Sequence, residues 1–100
     1  MVKHIVMWKL KETAEGASKA ENLKTAQAQL EALTTKIPEL NSLEVGIDFN
    51  RSAAAYDIVL VTEFESREAL EAYQNHPEHR KVADFIGKIR QDRAVVDYEI

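Results

Sequence analysis

The segment Tyr73-Gln74-Asn75-His76-Pro77-Glu78-His79 holds two of the chain's three histidines and one of its three tyrosines. Histidine is the side chain whose ordinary pKa lies nearest neutral pH, so it takes and gives protons under mild conditions. A neutral imidazole is a suitable base for removing a carbon-bound proton. A tyrosine hydroxyl is a suitable donor to the enolate oxygen that results. Tyr73 precedes Pro77 and His79 follows it, so the turn at the proline is placed to bring the two together. The remaining histidine, His4, lies far away in the first apolar run. Two roles fit it: a core histidine satisfied inside the protein, or a wall of the same pocket as His79. His76, next to the proline, fits a helix-end cap. Three imidazoles would suit zinc. However, Pro77 breaks the helical spacing between His76 and His79, and there is no cysteine. Neither a metal nor a cofactor is expected.

These side chains must be held by a small frame. One hundred residues make one domain, spanning 1–100. The absence of cysteine rules out a disulfide framework and a thiol nucleophile. The net charge of −4 argues against a nucleic-acid partner, which would select a basic face. The densest basic segment, Arg80, Lys81, Lys88, Arg90 and Arg93, is interrupted by Asp84 and Asp92 and reads as a solvated helix face. No run approaches the ~18 apolar residues of a membrane span. The first ten residues alternate with polar ones and lack a signal peptide's apolar core. A cytoplasmic protein with no membrane partner is expected.

Residues 2–10 alternate, with Val2, His4, Val6, Trp8 and Leu10 on one face and Lys3, Ile5, Met7 and Lys9 on the other. Residues 17–37 switch to helical spacing through Ala20, Leu23, Ala26, Leu30, Leu33 and Ile37. Ser18 with Glu21 makes a capping box at the start, and Pro38 ends the helix. Strand period returns over 42–49, with Leu43, Val45, Ile47 and Phe49 on one face, and again over 56–64. Ser66 and Glu68 start a second helix, and Pro77 fits the first turn of a fresh one carrying Val82, Phe85, Ile86 and Ile89. Residues 94–100 close the chain as a strand.

The order β-α-β-β-α-β predicts an α+β, ferredoxin-like fold with a four-stranded antiparallel sheet. Its central strands are the first and third, and these are the two that are apolar on both faces. Helices cover one face only. The other keeps an apolar stripe, which monomers rarely leave open, so a homodimer with facing sheets, a dimeric α/β barrel, is expected.

Val2-Lys3-His4-Ile5-Val6-Met7-Trp8-Lys9 resembles the opening strand of the Dabb family, the stress-responsive dimeric α/β-barrel domains. Tyr73-Gln74-Asn75-His76-Pro77-Glu78-His79, followed by Val82 and Phe85, resembles that family's Y-x-x-H-P-x-H segment. Tyr56-Asp57-Ile58-Val59-Leu60 and Val95-Val96-Asp97-Tyr98 also fit, so the resemblance spans essentially the whole chain. It implies a dimeric ferredoxin-like barrel without implying one activity. In cyclase-type members the Y-x-x-H-P-x-H segment supplies a Tyr/His acid/base pair. Mapped by motif, the pair falls on Tyr73 and His79, and the first-strand histidine falls on His4. The chain departs from those members at Asp57, where they carry histidine. It departs again at Thr25-Ala26-Gln27-Ala28, where they carry a pocket tyrosine.

Three functional classes follow. One is a stress-responsive protein binding a small apolar or aromatic ligand without turnover. The second is a cofactor-free acid/base enzyme, a cyclase or lyase, with His79, Tyr73 and His4 as catalytic residues. The third is a cofactor-independent monooxygenase. All three predict a pocket between sheet and helices with walls from Val6, Trp8, Leu30 and Phe85, since small-ligand sites are mostly apolar with a few polar groups.

Overall fold

The computed structural model describes residues 1–100. The first strand, β1, runs Val2–Leu10. A short hairpin follows, β2 (Thr13–Ala14) and β3 (Ala17–Ser18), turning through Glu15 and Gly16, both with positive φ. Helix α1 spans Lys19–Ala32. Its Ser18 side chain accepts from the Glu21 backbone N–H at 3.2 Å, while the Glu21 carboxylate accepts from the Ser18 N–H at 3.1 Å. This is the expected capping box. The α-helix stops at Ala32 rather than running to 37, because its last turn tightens into a 3-10 turn over Leu33–Thr35.

Strand β4 is Ser42–Ile47 and β5 is Ile58–Phe64. Helix α2 is Arg67–Asn75, capped by Ser66; α3 is Pro77–Ile89; and β6 is Arg90–Glu99. The sheet order is β4-β5-β1-β6, with every pairing antiparallel. This is the ferredoxin-like α+β fold, with the first and third long strands, β1 and β5, in the centre.

The inner face of the sheet carries the core. Val2, Val6, Trp8 and Leu10 of β1 and Ile58, Leu60 and Phe64 of β5 pack against Ala26, Leu30, Leu70, Tyr73, Val82, Ile86 and Ile89 from the helices. Burying a side chain of Val, Leu, Ile or Phe size stabilises by roughly 1.5–3 kcal/mol, so this layer dominates the protomer's stability. The outer face has no helix. In register it aligns Ile5 with Val61 and Val96, and Met7 with Val59. Met7, Val96 and Tyr98 are exposed there.

Three features depart from expectation. The β4 ladder ends at the Ile47–Ile58 rung, so Phe49 is not a strand residue and is 91% exposed. There the chain turns away, with Arg51 at positive φ and its N–H donating to Asp48 Oδ2 at 2.8 Å. Strand β6 begins at Arg90, not at 94. Arg90 and Arg93 therefore belong to a strand, not to a solvated helix face. No helix is long and apolar enough to cross a membrane.

Candidate active site

The break at Pro77 organises the site. His76 ends α2 and caps α3, its Nδ1 accepting from the Glu78 backbone N–H at 3.1 Å. Proline suits the first helical position because its missing N–H has no intrahelical partner to lose. The last turn of α2 thus presents Tyr73 and the first turn of α3 presents His79. Their ring centroids are 4.5 Å apart. Tyr73 also packs on Phe64 at 5.0 Å and lies edge-on to His4 at 6.5 Å. The three residues singled out from the sequence come together.

Each histidine is anchored through Nδ1. His79 Nδ1 lies 3.1 Å from the Gln74 backbone oxygen. A carbonyl only accepts, so Nδ1 carries the proton and Nε2 the lone pair. His4 Nδ1 pairs with the Asp97 carboxylate across the β1–β6 ladder, where the two residues are in register. A carboxylate accepts, so His4 Nδ1 carries a proton as well. Neither Nε2 has a hydrogen-bond partner within the chain. Burial lowers the His79 pKa against the raising effect of the Gln74 carbonyl, and the charges of His4, Arg93 and His76 lower it further. These effects favour the neutral imidazole of His79, with its Nε2 lone pair free. The Tyr73 hydroxyl is buried with no hydrogen-bond partner. Burial pushes its phenol pKa up, so it stays protonated.

A cavity of about 310 Å³ opens beside these rings. Its apolar walls include Val6, Trp8, Leu30 and Ile86, and its polar lining includes His4, Gln74, His79, Arg90 and Arg93. Tyr73 stands behind His79 rather than on the cavity wall. Phe85 is not a wall of this cavity, contrary to expectation. It faces a separate groove between α1 and α3, with Ala28, Ala32 and Val82. Phe85 precedes Ile86 by one position, and a step of about 100° around a helix turns it from the sheet toward α1. His76 spends its Nδ1 on the helix cap, and no group of three or more His, Cys, Asp or Glu side chains is arranged to hold a metal ion.

Asp97, Arg90 and Arg93 were not anticipated as site residues. Alternation places Asp97 and Arg93 on the same face of β6. Only the strand register reveals that this face meets His4 and Trp8, and no local pattern encodes it. Asp57 lies elsewhere: it accepts from the Leu10 N–H at 2.7 Å and pairs with Lys19 at 3.4 Å. The stretch 25–28 contributes nothing to the cavity lining, whereas Leu30 of the same helix does.

A ferredoxin-like sheet with a histidine-lined cavity under its helices defines the structural class. The chain belongs to the Dabb family, the stress responsive A/B barrel domain, whose family model matches residues 2–100. No curated protein sequence matches it. Among solved structures it is similar to a dimeric ferredoxin-like protein of unknown function from Bacteroides fragilis. That match has 32% identity and a TM-score of 0.82, covering 99% of this chain and 95% of the other. A dimeric ferredoxin-like protein of unknown function from Thermobifida fusca is similar at 26% identity and a TM-score of 0.86, covering 99% and 90%. A hydroxynitrile lyase from Passiflora edulis shares the fold at 20% identity and a TM-score of 0.80, covering 99% and 92%.

Proposed function

We propose that the chain is a homodimeric, cofactor-free acid/base protein of the cyclase or lyase type. It takes a small, partly apolar molecule into the cavity beside His4 and His79. The observation that carries this reading is the shared state of the two histidines. Each is held through Nδ1, each leaves Nε2 without a partner in the chain, and both line one cavity. A purely structural histidine in a core would have both nitrogens satisfied.

His79 takes the proton from carbon at Nε2. The Asp97-anchored His4 accepts a hydrogen bond from the ligand or relays the proton. Tyr73 packs on His79, and its protonated, unpaired hydroxyl is the donor offered to a developing oxyanion. The apolar walls exclude water and hold the reacting carbon near the base. The hydroxynitrile lyase with this fold supports the architecture, not a substrate. The apolar outer face of the sheet and the dimeric relatives support the homodimer, and the family's description supports a stress-related role.

The test is deuterium incorporation from D2O into a panel of 1,3-dicarbonyl compounds, followed by proton NMR. Accelerated exchange that is lost in both His79→Gln and His4→Gln supports the acid/base reading. Saturable binding without exchange would leave a ligand-binding protein without turnover.

A further inference from the structure

We infer that Arg90 and Arg93 form an anion clamp at the mouth of this cavity, and that the ligand is an apolar molecule bearing an oxyanion head group, a carboxylate or a phosphate ester. The inference rests on the ligand pocket proposed above and names its substrate class.

Residues 90 and 93 are an odd number of positions apart. In a regular strand their side chains would point to opposite faces of the sheet. The β1–β6 register is interrupted between Lys9 and Leu10. Trp8 pairs with Arg93, Lys9 with Asp92, and Leu10 with Arg90, so Gln91 is left without a partner. This β-bulge returns Arg90 to the face it would otherwise leave. Trp8 and Leu10 are both inner-face residues, and the arginines opposite them both line the cavity. Bulges re-aim side chains in this way beside functional sites.

Neither guanidinium is used inside the chain. Every ion pair in the molecule leaves both out, and neither side chain donates a hydrogen bond. The two carboxylates on the same face of β6, Asp97 and Glu99, are engaged by His4 and Arg67. The cavity therefore presents two unpaired guanidinium groups and two imidazoles above an apolar floor. Guanidinium forks match the planar oxygens of carboxylates and the tetrahedral oxygens of phosphates, often through paired hydrogen bonds. A neutral ligand would use the floor and leave the rim unpaired.

Trp8 is the only tryptophan and lines the cavity, so its fluorescence reports occupancy. The probes are 3-phenylpropionate, its neutral amide 3-phenylpropanamide, and 2-phenylethyl phosphate. The acid should bind about tenfold tighter than the amide at low salt, with the preference shrinking as salt is added. In the R90Q/R93Q double variant the preference of the acid over the amide should disappear. A tighter phosphate ester would identify phosphate as the head group, and a tighter carboxylate the acid.

Equal binding of acid and amide, or a preference that survives in the double variant, would overturn the clamp and leave the pocket standing. No Trp8 response to any probe would overturn both. A ligand-independent check is the NMR titration of His79, whose pKa should rise in Arg93→Gln. An unmoved His79 would place the Arg93 guanidinium away from the site and sink the proposal.

Discussion

The Tyr73 hydroxyl is the buried side-chain polar group left without a hydrogen-bond partner. It is fully buried and bonds to nothing, an arrangement that costs about 1–3 kcal/mol. Tyr73→Phe should therefore raise stability in urea unfolding, by about 1 kcal/mol, while slowing any proton transfer at His79. A less stable Phe variant would mean that the hydroxyl is already satisfied. His79 gives a second residue-level expectation. Its folded pKa lies below its ordinary value near 6.5, so between the two values the unfolded chain binds more protons than the folded one. Stability then falls as pH drops below about 6.5 and through the folded pKa. His79→Gln should flatten that slope in unfolding midpoints measured from pH 7 to 5.

At the scale of elements, the signals that succeed are those written in consecutive residues. Ser18 and Glu21 announce the start of α1, and Ser66 and Pro77 those of α2 and α3. Ser18→Ala should cost about 1 kcal/mol in urea unfolding, because the cap satisfies backbone donors that nothing else reaches. A loss near zero would mean that the β2–β3 hairpin, tied to α1 by the Asn22 side chain donating to the Ala14 carbonyl at 3.0 Å, holds the helix start alone. The signals that fail are those that depend on partners. Phe49 continues the alternation of β4 although the pairing has ended. Arg90-Gln91-Asp92-Arg93 carries no apolar alternation because it lies on an edge strand, so the sequence reads as the tail of a helix. Tyr73, His79 and His4 were legible as a group because two of them share a seven-residue motif. The Asp97 contact was not, because it joins strands 93 positions apart.

For the whole molecule, the uncovered sheet face is the main unsettled surface area. Ile5, Val61 and Val96 stand side by side on it. Val96→Asp should leave the protomer folded, because Val96 is 54% exposed in the single chain. The same change should convert the proposed dimer to monomer in light scattering. A charge trapped unpaired in such an interface costs on the order of 3–5 kcal/mol. A variant that stays at twice the chain mass would show that this face is not the interface.

The two ends of the described chain also meet. The Ile100 N–H donates to the Met1 carbonyl at 2.9 Å, and the Met1 amino group lies 3.3 Å from the Ile100 oxygen. Residues 1 and 100 thus meet one step beyond the last rung of the β1–β6 ladder, Val2–Glu99, so joining these two positions would turn the fold into a ring. A linker of a few residues would close it, and the exposed stretch at Ser52–Ala54 offers a place to reopen it. In the rearranged chain, β6 and β1 would become neighbours in sequence. The pairing that now demands the largest loop closure would become a hairpin. The β4–β5 pairing, now joined by the short 48–57 connection, would take over the long closure, so such a permutant should reach the same structure by a different order of strand pairing.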